Sequence, residues 1–114
     1  MKLYDRRILE KLKKKNRGNY QLKKAVDDLI DTIEMASWNN PIELINSRPD
    51  ADCVNSEGFY FFNIKVHRTM ILIEFEDDKA TIVWAGSHQD YEKTFQNNKT
   101  VIEKWLREKS WIKY

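Results

Sequence analysis

Apolar residues recur along this chain with two different periods, and the change of period divides it into a helical first part and a strand-rich second part. From Tyr20 to Met35, Leu22, Val26, Leu29, Ile30 and Ile33 follow one another at spacings of three and four, with Asp27, Asp28, Asp31 and Glu34 between them. That spacing predicts an amphipathic helix with one core-facing side. Ile8, Leu9 and Leu12 predict an earlier helix that starts at Asp5 as N-cap and runs to about Lys15, preceded by a short edge strand at Leu3 and Tyr4. Arg17-Gly18-Asn19 breaks the two helices apart. After Trp38-Asn39-Asn40, Pro41 suits the first turn of a short helix through about Asn46.

Beyond that point the pattern is one of short runs rich in aromatic and β-branched residues. Ala51 to Val54, Phe59 to Ile64, Thr69 to Phe75 and Thr81 to Ala85 are separated by Asn55-Ser56-Glu57-Gly58, Lys65-Val66-His67-Arg68 and Glu76-Asp77-Asp78-Lys79. They predict a meander of four antiparallel strands. A helix turn at His88 follows, then a last helix from about Thr100 to Lys109, with Val101, Ile102, Trp105 and Leu106 inward and Lys104 and Arg107 outward. Helices before strands predict an α+β fold, with the N-terminal helices packed on one face of the sheet and a helix closing the C-terminus.

The chain of 114 residues suits one domain with one modest core, read as residues 1–114. No apolar run approaches the length of a bilayer span, and the first residues lack a signal-peptide core, which predicts a cytoplasmic protein. The single cysteine, Cys53, cannot form an internal disulfide and reads as a small buried apolar residue. Trp38, Trp84, Trp105 and Trp111 read as packing residues. In the tail, Trp111, Ile112 and Tyr114 read as sealing the core, with contact to a partner as the other reading.

The formal net charge of +2 hides an asymmetry. Residues 1 to 24 carry 10 Lys/Arg against 2 Asp/Glu, whereas residues 25 to 62 carry 1 against 8. Lys11, Lys13, Lys14, Lys15 and Arg17 form a basic stretch suited to the phosphates of RNA, or simply to a solvated helix face. The acidic run Glu74, Glu76, Asp77 and Asp78 reads as a hairpin turn facing water rather than a metal site, and no cofactor is called for.

Candidate chemistry concentrates in Gly86-Ser87-His88-Gln89-Asp90-Tyr91-Glu92, at a strand-to-helix junction. His88 and Tyr91 share a helix face, beside N–H groups that can favour an anion. Ser87 and Asp90 equally have the spacing of a capping box, and Tyr91 can simply pack on the core. His67 and Arg68, in the turn before the third long strand, come to the same sheet edge if the strands pair antiparallel, with Lys65 nearby. Two histidines and an arginine supply a base for a ribose 2′-OH, an acid for the departing 5′-oxygen and a cation for the charge at phosphorus.

Taken with Trp38 to Pro41 and Phe62-Asn63-Ile64, the Gly86-to-Glu92 motif resembles the HigB-type toxins of type II toxin–antitoxin systems, in the RelE/ParE superfamily. The likeness runs from about Leu22 to Lys93. Asn97-Asn98-Lys99-Thr100-Val101-Ile102-Glu103-Lys104-Trp105-Leu106 is similar to the tail of some members. The resemblance implies a RelE-like fold and a ribosome-dependent messenger-RNA endonuclease, independent of metal and neutralised by a HigA-type antitoxin. It carries over His88 and Tyr91 as site residues. Many relatives have an arginine where this chain has Met70 and a Gly-Asn turn where it has Lys65-Val66-His67, so Arg68 is the expected stand-in. Two other readings differ in class: a ParE-like toxin acting on a protein such as DNA gyrase, and a non-catalytic RNA-binding module.

Overall fold

The computed structural model describes residues 1–113, so the expectation for Tyr114 lies outside the described residues. In chain order the elements are β1 (Lys2–Tyr4), α1 (Arg7–Lys15), α2 (Tyr20–Met35), α3 (Pro41–Ser47), β2 (Asp52–Cys53), β3 (Phe59–Ile64), β4 (His67–Glu74), β5 (Lys79–Ser87), α4 (His88–Phe95) and α5 (Lys99–Glu108). The fold is mixed α+β.

The sheet differs from the expected four-strand meander. It has five strands in the order β1-β5-β4-β3-β2, and β1 runs parallel to β5 while every other pair is antiparallel. The extra strand is the expected Leu3-Tyr4 edge segment; its place in the sheet, parallel to β5, depends on a partner far along the chain that no local pattern discloses.

Helices cover both faces, not one. Strand alternation sends Tyr60, Phe62, Ile71, Ile73 and Ile82 to the first face, where Leu9, Leu22, Val26, Leu29 and Ile33 of α1 and α2 bury them. Phe59, Phe61, Met70 and Val83 point the other way and meet Tyr91, Phe95, Ile102 and Leu106 of α4 and α5. The strands are apolar on both faces because both are covered. A bulge helps fill the second layer: Met70 pairs with Trp84 and Ile71 with Ile82, which leaves Val83 without a partner across the ladder. Val83 and Trp84 can then both join the second core.

Local details also depart from expectation. Asp5 is not a helix cap; its φ is +59°, and α1 begins after Arg6, which makes no side-chain capping bond. Asn19 and Asn40 do cap α2 and α3 by accepting N–H bonds from Leu22 and Glu43. Cys53 is exposed, because β2 is a two-residue strand at the edge of the sheet with both of its residues open to solvent. Trp111 and Ile112 pack on the second core, and the Trp111 ring meets Phe59 edge-on at 6.3 Å.

Candidate active site

The site forms where the β3–β4 hairpin meets the end of β5. Ile64 pairs with His67, so the connection is the two residues Lys65 and Val66, with Lys65 in the left-handed region at φ +63°. His67 and Arg68, expected in the turn, are therefore the first residues of β4. The pairing Asn63↔Arg68 puts Arg68 beside Asn63, on the same sheet face as Met70.

A chain of contacts fixes the guanidinium. Arg48 and Asp50 form a two-pronged ion pair, with both N···O distances at 2.7 Å. The pair grips the backbone of Asn63 from both sides: Asp50 accepts its N–H at 2.8 Å and Arg48 donates to its carbonyl at 3.1 Å. This takes the place of a neighbouring strand at a point that β2 is too short to reach. Burial raises the pKa of Asp50, but the Arg48 hydrogen bonds and the Asn63 N–H overcome it, and the net shift is downward. Asn63 Oδ1 in turn accepts from Arg68 Nε at 3.2 Å, and Asp52 lies 3.9 Å from the guanidinium. Beneath it lie two rings, Phe61 at 5.0 Å and Tyr91 at 4.6 Å from Cζ. The two rings meet edge to face at 86°, so the cation sits over both at their junction, with acceptors at its edges.

Gly86 lies opposite Arg68 at the end of β5. A Cβ there would stand 2.8 Å from the Trp84 ring and 3.1 Å from Asp90 Cβ, so the close seat of α4 on the sheet needs glycine. The helix opens with a full capping box: Ser87 N–H donates to Asp90 Oδ2 at 3.2 Å, and Asp90 N–H donates to Ser87 Oγ at 3.1 Å. His88 N–H donates to the Val66 carbonyl at 3.1 Å. These bonds, with a carboxylate in the first turn, use the donors that the sequence offered as an anion spot. The Ser87 hydrogen bonds hold the Asp90 carboxyl below its ordinary range, aided by Lys15 and Lys93 nearby.

The remaining site groups have contrasting surroundings. Tyr91 is 2 % exposed and its hydroxyl donates to Asn97 Oδ1 at 2.9 Å. Burial raises its pKa against the pull of Arg68, so the phenol stays protonated. The His88 side chain is 64 % exposed, with Nε2 at 3.4 Å from Glu92 Oε1 and its ring 6.1 Å from that of Tyr91 at an interplanar angle of 23°. His67 is 7 % exposed, and its buried Nδ1 meets no hydrogen-bond partner among the described residues. Burial lowers its pKa, with Asp90 opposing, which favours the neutral imidazole.

Asn63, Lys65, Val66, His67, Arg68 and His88 line one open concavity of about 510 Å³. Two histidines, one buried and one exposed, an arginine held by its neighbours and an exposed lysine thus line one concavity around the end of the hairpin. Tyr91 lies under Arg68. The basic stretch of α1 is placed differently. Lys11, Lys14 and Arg17 are exposed and line separate depressions, and Lys13 is tied to Asp27 at 2.8 Å and Glu10 at 3.3 Å. Lys15 is close enough to Asp90 to help lower its pKa.

The sequence model of the HigB toxin family, described as the RelE-like toxic component of a toxin–antitoxin system, matches residues 22–94. The chain belongs to that family. The match covers every residue that lines the concavity and the Arg48–Asp50 clamp behind it, while α1 and α5 fall outside it. As a family member the chain is a toxin whose partner is an antitoxin, and RelE-like toxins are generally endoribonucleases. None of the curated proteins compared with the chain matches it. Among the described residues, no helix is long and apolar enough to cross a membrane. Sequence reasoning missed Asn63 and the clamp as supports of Arg68. A polar residue inside the apolar run Tyr60 to Ile64 was the available signal.

Proposed function

We propose that residues 1–114 act as one toxin domain that cuts messenger RNA on the ribosome, without metal, by attack of a ribose 2′-OH on the adjoining phosphorus. His67, neutral in its buried setting, takes the proton from the 2′-OH. The 2′-oxygen bonds to phosphorus, Arg68 faces the charge that builds on the non-bridging oxygens, and the 5′-oxygen leaves with a proton from His88. The P–O5′ bond breaks as the P–O2′ bond forms, giving a 2′,3′-cyclic phosphate and a 5′-hydroxyl, with one proton gained by His67 and one given up by His88.

The observation that carries this reading is that one concavity is walled by His67, Arg68 and His88 together. A fixed cation facing the developing charge is worth roughly 10²–10³ in rate, and a positioned acid or base roughly 10²–10⁴. Tyr91 is a positioning residue here, since its buried ring supports Arg68. Lys65, and Lys11, Lys14, Lys15 and Arg17 on α1, add phosphate contacts, and Lys13 lends charge from within its ion pair. The toxin works in the cytoplasm, where translated message is, and a HigA-type antitoxin neutralises it.

Primer extension on messages from cells expressing the chain, beside a His88→Ala control, tests the reading. New 5′ ends inside translated codons that vanish with the control are the expected result. Growth arrest without such ends overturns the nuclease reading in favour of a protein target such as DNA gyrase. Salt-sensitive RNA binding without cuts would leave a binding module.

A further inference from the structure

The concavity has one apolar wall among five polar or charged ones, and that wall stands in water. Val66 is 70 % exposed at the tip of the β3–β4 turn, between Lys65 and His67. The turn is not a loose loop. It is closed by the Ile64↔His67 pair, and the Val66 carbonyl accepts the His88 N–H at 3.1 Å. The Val66 backbone is therefore tied to the first residue of the helix that carries His88, and its β-branched side chain has few rotamers to lose. A rigid apolar face beside a fixed cation fits a ligand with phosphate on one side and a flat, weakly solvated ring on the other.

We propose that Val66 is the wall against which a nucleobase next to the scissile phosphate packs, which makes it a specificity-determining residue; this rests on the nuclease reading above. With Arg68 on the phosphate, the ribose lies toward His67 and His88, and the adjoining base is carried to the rim where Val66 stands. About 510 Å³ leaves room for the base as well as the sugar phosphate. Val66 offers no donor or acceptor from its side chain, so it reads contact area, not a hydrogen-bonding edge. A two-ring purine covers more of it than a pyrimidine, which sets the direction of the preference.

The test is cleavage of a defined set of messages on purified ribosomes by the full chain, Val66→Ala and Val66→Leu, with 5′ ends counted by flanking base. Purine-flanked sites should dominate for the unaltered chain and for Val66→Leu. With Val66→Ala the rate at those sites should fall about tenfold and the purine bias should flatten, since apolar groups in a pocket are worth factors of this order. An unchanged thermal midpoint is expected for a residue whose side chain faces solvent, so the loss would be one of contact. If Val66→Ala keeps the bias and rate of the unaltered chain, the proposal is wrong and the nuclease reading stands. If the unaltered chain yields no 5′ ends, both fall.

Discussion

The guanidinium of Arg68 lies 4.6 Å above the ring of Tyr91, which is itself almost wholly buried and donates its hydroxyl to Asn97. The ring and the hydroxyl therefore do separable work. Tyr91→Phe keeps the platform and removes one hydrogen bond to an exposed partner, so it should cost about 1 kcal/mol in urea unfolding and leave cleavage within a few fold. Tyr91→Ala empties a site in the second core and should cost about 3–5 kcal/mol.

Arg68→Lys retains the charge but not the guanidinium that lies over the Phe61 and Tyr91 rings and donates through Nε to Asn63. Cleavage should drop by roughly 10²-fold in the ribosome assay, while the thermal midpoint moves little. Full activity in Arg68→Lys would show that a point charge suffices.

His67 links the site to stability below neutral pH. Burial holds its folded-state pKa below the ordinary 6.5, so the unfolded chain binds the proton more readily between those two values. Stability should therefore rise with pH across that window and be lost as pH falls from 6.5 toward the folded value. Asp50 and Asp90, both shifted downward, contribute stability above 3.8 that is lost only as pH falls through their folded values, in a separate and more acid window. Urea titrations from pH 7.5 to 4.5 should show a slope that His67→Gln removes.

The Arg48–Asp50 clamp predicts a remote effect. Asp50→Ala frees the Asn63 N–H and unpairs a partly buried arginine, for a cost of about 2 kcal/mol in chemical denaturation. Because Asn63 also orients Arg68, cleavage should fall more than the loss of folded protein explains. A rate that tracks only the folded fraction would remove the clamp from the site's support.

Met70 occupies the position where the family resemblance expects an arginine, yet here it is fully buried in the second core. Met70→Arg would place an unpaired charge there at a cost of several kcal/mol. Thermal unfolding should show a large drop in midpoint. A Met70→Arg protein as stable as the parent, and active without Arg68, would return the catalytic cation to the family's usual place.

Legibility varied with the range of the interactions. The bounds of α2 and β3 follow from apolar spacing alone, since a side chain's face is set by the local period. The capping box at Ser87 and Asp90 was equally local. The turn between β3 and β4 is two residues shorter than the polar run Lys65 to Arg68 predicts, because His67 and Arg68 carry no local mark of the strand that the pairing to Ile64 and Asn63 makes of them. A lone thiol predicts burial for Cys53, whereas its exposure comes from an edge that composition does not disclose.

Sequence by itself determined which segments are helices and strands, where charge gathers, and which histidines, arginine and tyrosine are candidates, because these depend on near neighbours and residue chemistry. Tertiary structure decided the rest. It set β1 in parallel beside β5, covered both sheet faces, buried Tyr91 beneath Arg68, and gave His67 and His88 opposite solvation. Those outcomes depend on contacts between residues far apart in the chain, where burial and pairing are fixed only when the layers close.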